Sequence, residues 1–160
     1  MKDFNDFNFD DLDPEEQEEI NREMNENEKL IKNHPLRKKA AQMEETIQTI
    51  MESMDEMEKE MFGYRLVESA MIIEAKICGA LGTQNWLISM QNAAIIRQHG
   101  HDLLIAKHNL EAMTEVDRRY IDLFRNDVEE FQQLFKEWVK SFEKLEREEY
   151  EDEWGLFLRQ

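Results

Sequence analysis

The chain has a single cysteine, Cys78, so it cannot form an internal disulfide, which fits a reducing compartment. Its 160 residues include five Gly and two Pro. With so few breakers, and hardly a run that alternates apolar and polar residues, little argues for β-sheet. Long apolar runs are missing too. The most apolar stretch, 61–81, is interrupted by Arg65, Glu68, Glu74 and Lys76, and reads as a buried helix rather than a membrane span. The first twenty residues are acidic and lack the apolar core of a signal peptide. Together these absences predict a cytoplasmic protein with no membrane contact.

Positive charge is also in deficit, with 20 Lys and Arg against 37 Asp and Glu for a net charge of -17. A phosphate-binding surface needs clustered bases, so direct nucleic-acid binding is disfavoured. The acidity is concentrated at the ends. Residues 1–33 carry 12 acids against 4 bases, and residues 143–153 carry 7 against 2. Between them, 61–110 is almost neutral. The two ends should be solvated and mutually repulsive, and open to a partner with a basic surface.

What is present is helical periodicity. Ile121, Phe124, Val128, Phe131, Phe135, Trp138, Phe142 and Leu145 step three and four residues apart without a miss, the pattern of a long helix laying one seam against others. Leu36, Ala40, Met43, Ile47, Ile50, Met54 and Met57 repeat it, predicting a helix over 35–57 that starts at Pro35. The acidic cluster 55–60 is the expected turn, although an unbroken rod through Gly63 also fits. The helix over 60–81 has two apolar stripes, Leu66, Ala70, Ile73, Ile77 and Val67, Met71, Cys78. A break near Gly82, with Thr83 as cap, precedes a helix over 84–112. The sequence Thr114-Glu115-Val116-Asp117 resembles a capping box for a last helix reaching about Tyr150, roughly 55 Å long at the standard rise. Upstream, Asp13-Pro14-Glu15-Glu16 reads as a helix start, and the helix over 14–33 has so few apolar residues that it should be peripheral. The expected fold is all-α: an antiparallel four-helix bundle with an additional peripheral N-terminal helix. It has a flexible acidic and aromatic leader over 1–13, a bundle domain over 14–150 and an acidic and aromatic tail over 151–160.

No complete catalytic signature occurs, so the chain is read as non-enzymatic and without a cofactor. A di-metal bundle site would need Glu-x-x-His on two helices, and the chain has none. Only the reversed spacing His108-x-x-Glu111 is present, with His101 seven residues earlier. A mononuclear site from His101, His108 and Glu111, with help from Glu74 or Glu68, is the alternative reading. Glu74 and Arg97 sit in otherwise apolar surroundings and are the expected internal ion pair, because charges are rarely buried alone. Cys78 and the ten methionines read as core fillers. Both ends combine acids with large apolar residues: Phe4, Phe7, Phe9 and Leu12 at one, Trp154, Leu156 and Phe157 at the other. Such segments can set aromatic anchors into a partner's pocket while acids steer them to a basic rim, or can fold back onto their own bundle.

Glu68 to Ala80, containing Ala75-Lys76-Ile77-Cys78-Gly79-Ala80, together with Met90-Gln91-Asn92-Ala93 and Trp154-Gly155-Leu156-Phe157, resembles small uncharacterised bacterial helical-bundle proteins. These share an Ala-Lys-Ile-x-Gly-Ala element and a C-terminal Trp-Gly-Leu-Phe tail. The resemblance covers about 34–157. It implies a bacterial, cytoplasmic protein and makes the tail an integral feature; it carries no catalytic residue or ligand. The expected function is an acidic protein–protein interaction or adaptor module for an unidentified protein, acting through the terminal segments or the long last helix, with homo-oligomerisation through that helix as a further mode. The remaining alternative is a nucleic-acid mimic that inhibits a basic-groove protein.

Overall fold

In the computed structural model, residues 13–83 and 85–147 are described, and these residues form helices with no strand among them. Helix α1 spans Pro14–Asn33 and α2 Pro35–Glu52. A one-turn helix α3, Glu56–Glu58, runs through a π-helical segment, Lys59–Gly63, into α4, Tyr64–Leu81. Then come α5, Trp86–Met113, and α6, Arg118–Lys140, closed by a 3₁₀ turn over Ser141–Lys144. Each of α2, α4, α5 and α6 packs against two of the others: α2 on α4 and α6, α5 on α4 and α6. Helix α1 touches α2 and buries no residue.

The boundaries follow from local chemistry. Asp13 caps α1 as its composition predicts, accepting hydrogen bonds from the Glu15 and Glu16 N–H groups, both at 2.9 Å. Helix α2 starts with His34 as N-cap, its Nδ1 accepting from the Leu36 N–H at 3.3 Å, and Pro35 in the first turn. That bond requires an unprotonated Nδ1, and burial pushes the His34 pKa below its ordinary 6.5, which favours the neutral ring.

The turn after α2 lies earlier than the acidic cluster suggests. Helix α2 ends at Glu52, and Asp55 caps a new start in a capping box with Glu58. The chain is therefore not a single rod through Gly63, and Met57, expected on the α2 stripe, is 69% exposed while Met54 is buried. Gly63 packs against the end of α2 and the turn that follows it: an added Cβ would meet Met51 Cγ and Met54 Sδ at 3.3 Å.

Helix α5 is capped by Asn85 instead of Thr83: its side-chain oxygen accepts from the Ile88 N–H at 3.1 Å, while Thr83 Oγ1 accepts from the Asn85 N–H. Helix α6 starts at Arg118, because Thr114 completes α5 by donating to the Leu110 carbonyl at 2.7 Å and Asp117 is the cap. The Arg119 side chain, then its backbone N–H, holds the Asp117 carboxyl down at about 2.

The last helix is also shorter than its stripe predicts. It has 23 residues, roughly 35 Å, not 55 Å. The Ser141 hydroxyl donates to the Trp138 carbonyl at 2.6 Å, the final turn tightens to 3₁₀, and Leu145 leaves in extended conformation. The extended segment is held elsewhere. The Trp86 N–H donates to the Glu146 carbonyl at 3.0 Å, and the Arg147 guanidinium lies 4.8 Å from the centre of the Trp86 ring. Thus the chain leaving α6 is tied to the N-terminal end of α5.

The interior joins the predicted stripes. Met43, Ile47 and Ile50 of α2, Ile73 and Ile77 of α4, Ile96 and Leu110 of α5, and Phe124 of α6 have no measurable exposure. Burial of such side chains contributes roughly 1.5–3 kcal/mol each against the entropy of ordering the chain. The second α4 stripe is less buried than predicted: Val67 packs on the core, but Met71 is 58% exposed.

Candidate interface between helices α5 and α6

The two seams of α6 differ in chemistry. Toward α2, Asp127 is buried and accepts two hydrogen bonds, from Lys39 Nζ at 2.8 Å and from Thr46 Oγ1 at 2.6 Å. Lys39 also pairs with Glu130 and donates to Gln42 Oε1 at 3.4 Å, so all three ammonium donors have acceptors. Burial pulls the Lys39 pKa down, but the bonds to Asp127 and Glu130 outweigh it and leave the group above its ordinary 10.5. Apolar stripes read alone miss this network. Asp127 lies three residues after Phe124 and four before Phe131, and Lys39 lies seven before Thr46. Both spacings point inward.

Toward α5 the seam opens into a groove of about 460 Å³. Its apolar wall is made by Ile96 and Leu104 of α5 and by Val128, Phe131 and Phe135 of α6. Arg97 and His101 stand along α5, Lys136 along α6, and Gln98 and Gln132 complete the polar edge. No Asp or Glu is among the lining residues. On a chain with 37 acids, that is a marked local reversal of charge. Gly100 lies in the lining, and a Cβ there would meet nothing within 4 Å, so part of the opening exists because this helical position has no side chain. Phe135 continues the apolar track toward the end of α6, with ring centres 5.9 Å from Trp138, which in turn packs edge-on to Phe142 at 4.6 Å. The volume is in the range of ligand-binding clefts, and an apolar floor with a cationic rim suits a ligand that is aromatic and anionic at once.

The other sequence-derived candidates fall differently. Glu74 does not pair with Arg97. It faces α2, where Arg37 approaches its carboxylate at 3.1 Å, and Arg97 is exposed on the rim of the groove. The polar link between α4 and α5 is instead Ser69 Oγ with His99 Nδ1 at 3.2 Å. Around Glu74, Arg37 Nε also lies 3.3 Å from Cys78 Sγ, and burial followed by a hydrogen bond with Glu74 raises the Glu44 pKa above its ordinary 4.5.

His101, His108 and Glu111 are not assembled as ligands. The two histidines are seven residues apart on one helix, a rise of roughly 10.5 Å, where a shared ion is normally held at a four-residue spacing. Both are exposed, and Glu111 lies toward Lys107 at 4.0 Å. Among the described residues no group of three His, Cys, Asp or Glu is placed to hold a metal ion. Phe4, Phe7, Phe9, Leu12, Trp154, Leu156 and Phe157 lie outside the described residues. No described helix is long and apolar enough to cross a membrane. No known protein family, curated protein or solved structure matches the chain.

Proposed function

We propose that the chain is a non-enzymatic protein-interaction module, an antiparallel four-helix bundle of α2, α4, α5 and α6 with α1 at its periphery, whose α5–α6 groove receives an acidic, aromatic-bearing protein segment. One observation carries this reading: the lining of the groove is free of acids, apolar at its floor, and edged by Arg97, His101 and Lys136. Aromatic rings supply most of the binding energy in such a site, and the flanking acids set orientation and encounter rate. The expectation that terminal segments reach out to a basic partner is thereby recast, because this surface accepts acid–aromatic chemistry.

The test is a titration of the full chain carrying Trp154→Ala and Phe157→Ala, which removes the two large rings with which the chain's own acid–aromatic segment would compete. The probe is a fluorescent peptide with the sequence of residues 148–160. Binding should weaken as salt rises, and should fall at least about tenfold, or about 1.4 kcal/mol, in the same background with Arg97→Glu and Lys136→Glu. Equal affinity for both proteins would defeat the reading.

A further inference from the structure

We infer that the segment that fills the α5–α6 groove is the chain's own C-terminal stretch, residues 148–160, bound to the same molecule. This rests on the reading of the groove as an acid–aromatic receptor and names its occupant.

Three observations lead there. The first is where the described chain stops. Arg147 is held over Trp86 at the first residue of α5, and Glu146 is hydrogen-bonded to the Trp86 backbone, so the described chain ends beside the start of α5.

The second is reach. The near edge of the groove, Ile96, is ten residues along α5 from Trp86, and its far edge, Leu104, is eighteen. At the helical rise those edges lie roughly 15 and 27 Å from the anchor. Thirteen residues follow Arg147, enough for roughly 43 Å of extended chain, and Trp154, seven residues on, can reach roughly 23 Å. The indole can therefore be delivered into the groove without releasing the Arg147 anchor.

The third is complementarity. Residues 148–153 contain five acids, followed by Trp154, Leu156 and Phe157. The groove offers apolar walls for the rings and cations on both helices for the acids. The anchor also raises the local concentration of the segment, so modest intrinsic affinity suffices for occupancy.

The experiment uses the full chain with Cys78→Ser and Gln133→Cys, an exposed position of α6 outside the groove lining, a nitroxide on the introduced thiol, and the indole N–H signal of Trp154 assigned by Trp154→Phe. Paramagnetic broadening of that signal is expected. It should be lost with Arg97→Glu and Lys136→Glu. It should also be lost with Gly100→Leu, which fills the groove where space is open and removes a helix-interior glycine, so that a folding defect is not the expected outcome. A mixture of isotope-labelled chain without nitroxide and unlabelled chain with nitroxide should show no broadening. Broadening in the mixture would mean that a second copy donates its tail, and would overturn binding within one molecule. An unbroadened Trp154 in the nitroxide-bearing chain would overturn the inference outright. If the added 148–160 peptide still binds the chain with Trp154→Ala and Phe157→Ala in that case, the groove remains a receptor and only the assignment of its occupant fails. If the peptide does not bind, both fail.

Discussion

Toward α2, helix α6 presents Asp127, with both carboxylate oxygens engaged by Lys39 and Thr46; toward α5, the same helix presents Phe135 and Lys136 to an open groove. The first seam is finished internally. Its buried charges are paired, and water is kept from Asp127, which is 2% exposed. The second seam has apolar area and cations but no acid to meet them. The contrast separates two dispositions of charge beside a core: in one, buried charges are paired between two helices, and in the other, cations edge an apolar groove whose lining has no acid.

The largest difference between the seams should appear in ring deletions along α6. Phe131→Ala removes a ring that is 3% exposed and should cost about 3–5 kcal/mol in urea unfolding. In the chain with Trp154→Ala and Phe157→Ala, whose groove is left uncovered, Phe135→Ala removes a ring at the open side and should cost only about 1–2 kcal/mol, because its site is then partly solvated. Equal losses would mean that the groove is closed in solution.

The next effect tests the closed seam. Asp127→Ala leaves Lys39 buried with only Glu130 and Gln42, and should cost about 3 kcal/mol. Replacing both partners, with Lys39→Met and Asp127→Leu, should recover most of that loss, since two matched apolar groups do not carry the desolvation penalty of an ion pair. A double variant as unstable as the single one would show that the network contributes net stability of its own.

The smallest effect is expected on the outer side of α2, where Glu44 and Glu74 crowd each other beside Arg37. A carboxyl whose folded pKa lies above its unfolded value favours the fold below the unfolded value, 4.5, and loses that contribution as pH rises through the folded one. Near neutral pH the pair is therefore a liability. Glu44→Gln should raise stability at pH 7 by about 0.5 kcal/mol or less, and the gain should vanish below pH 4.5. A gain that persists in acid would point to packing instead of charge.

Much of the core is legible from spacing. The stripes of α2 and α6 predict the buried faces through Leu36–Met54 and Ile121–Phe142, because apolar periodicity reports which side of a helix meets its neighbours. Helix ends are harder to read. Ser141 and the pairing of Glu146 with Trp86 end α6 well before its apolar pattern stops, and neither depends on a glycine or proline. The expected Glu74–Arg97 pair fails for a related reason: two charges in apolar surroundings need partners, but which helix supplies them depends on rotation about the axis, and Glu74 faces α2. The groove cannot be read from the sequence because its opening depends on how α5 and α6 separate around Gly100, whereas its ingredients, Arg97, His101 and the phenylalanine stripe, are all visible there.

The decisive measurement is a chemical-shift map of the full chain with Trp154→Ala and Phe157→Ala as the 148–160 peptide is added. Perturbations are expected over 96–104 of α5 and 128–136 of α6, with the amide of Gly100 among them, and none around Lys39 and Thr46. Shifts centred on another face, or none at saturating peptide, would contradict a receptor groove between α5 and α6.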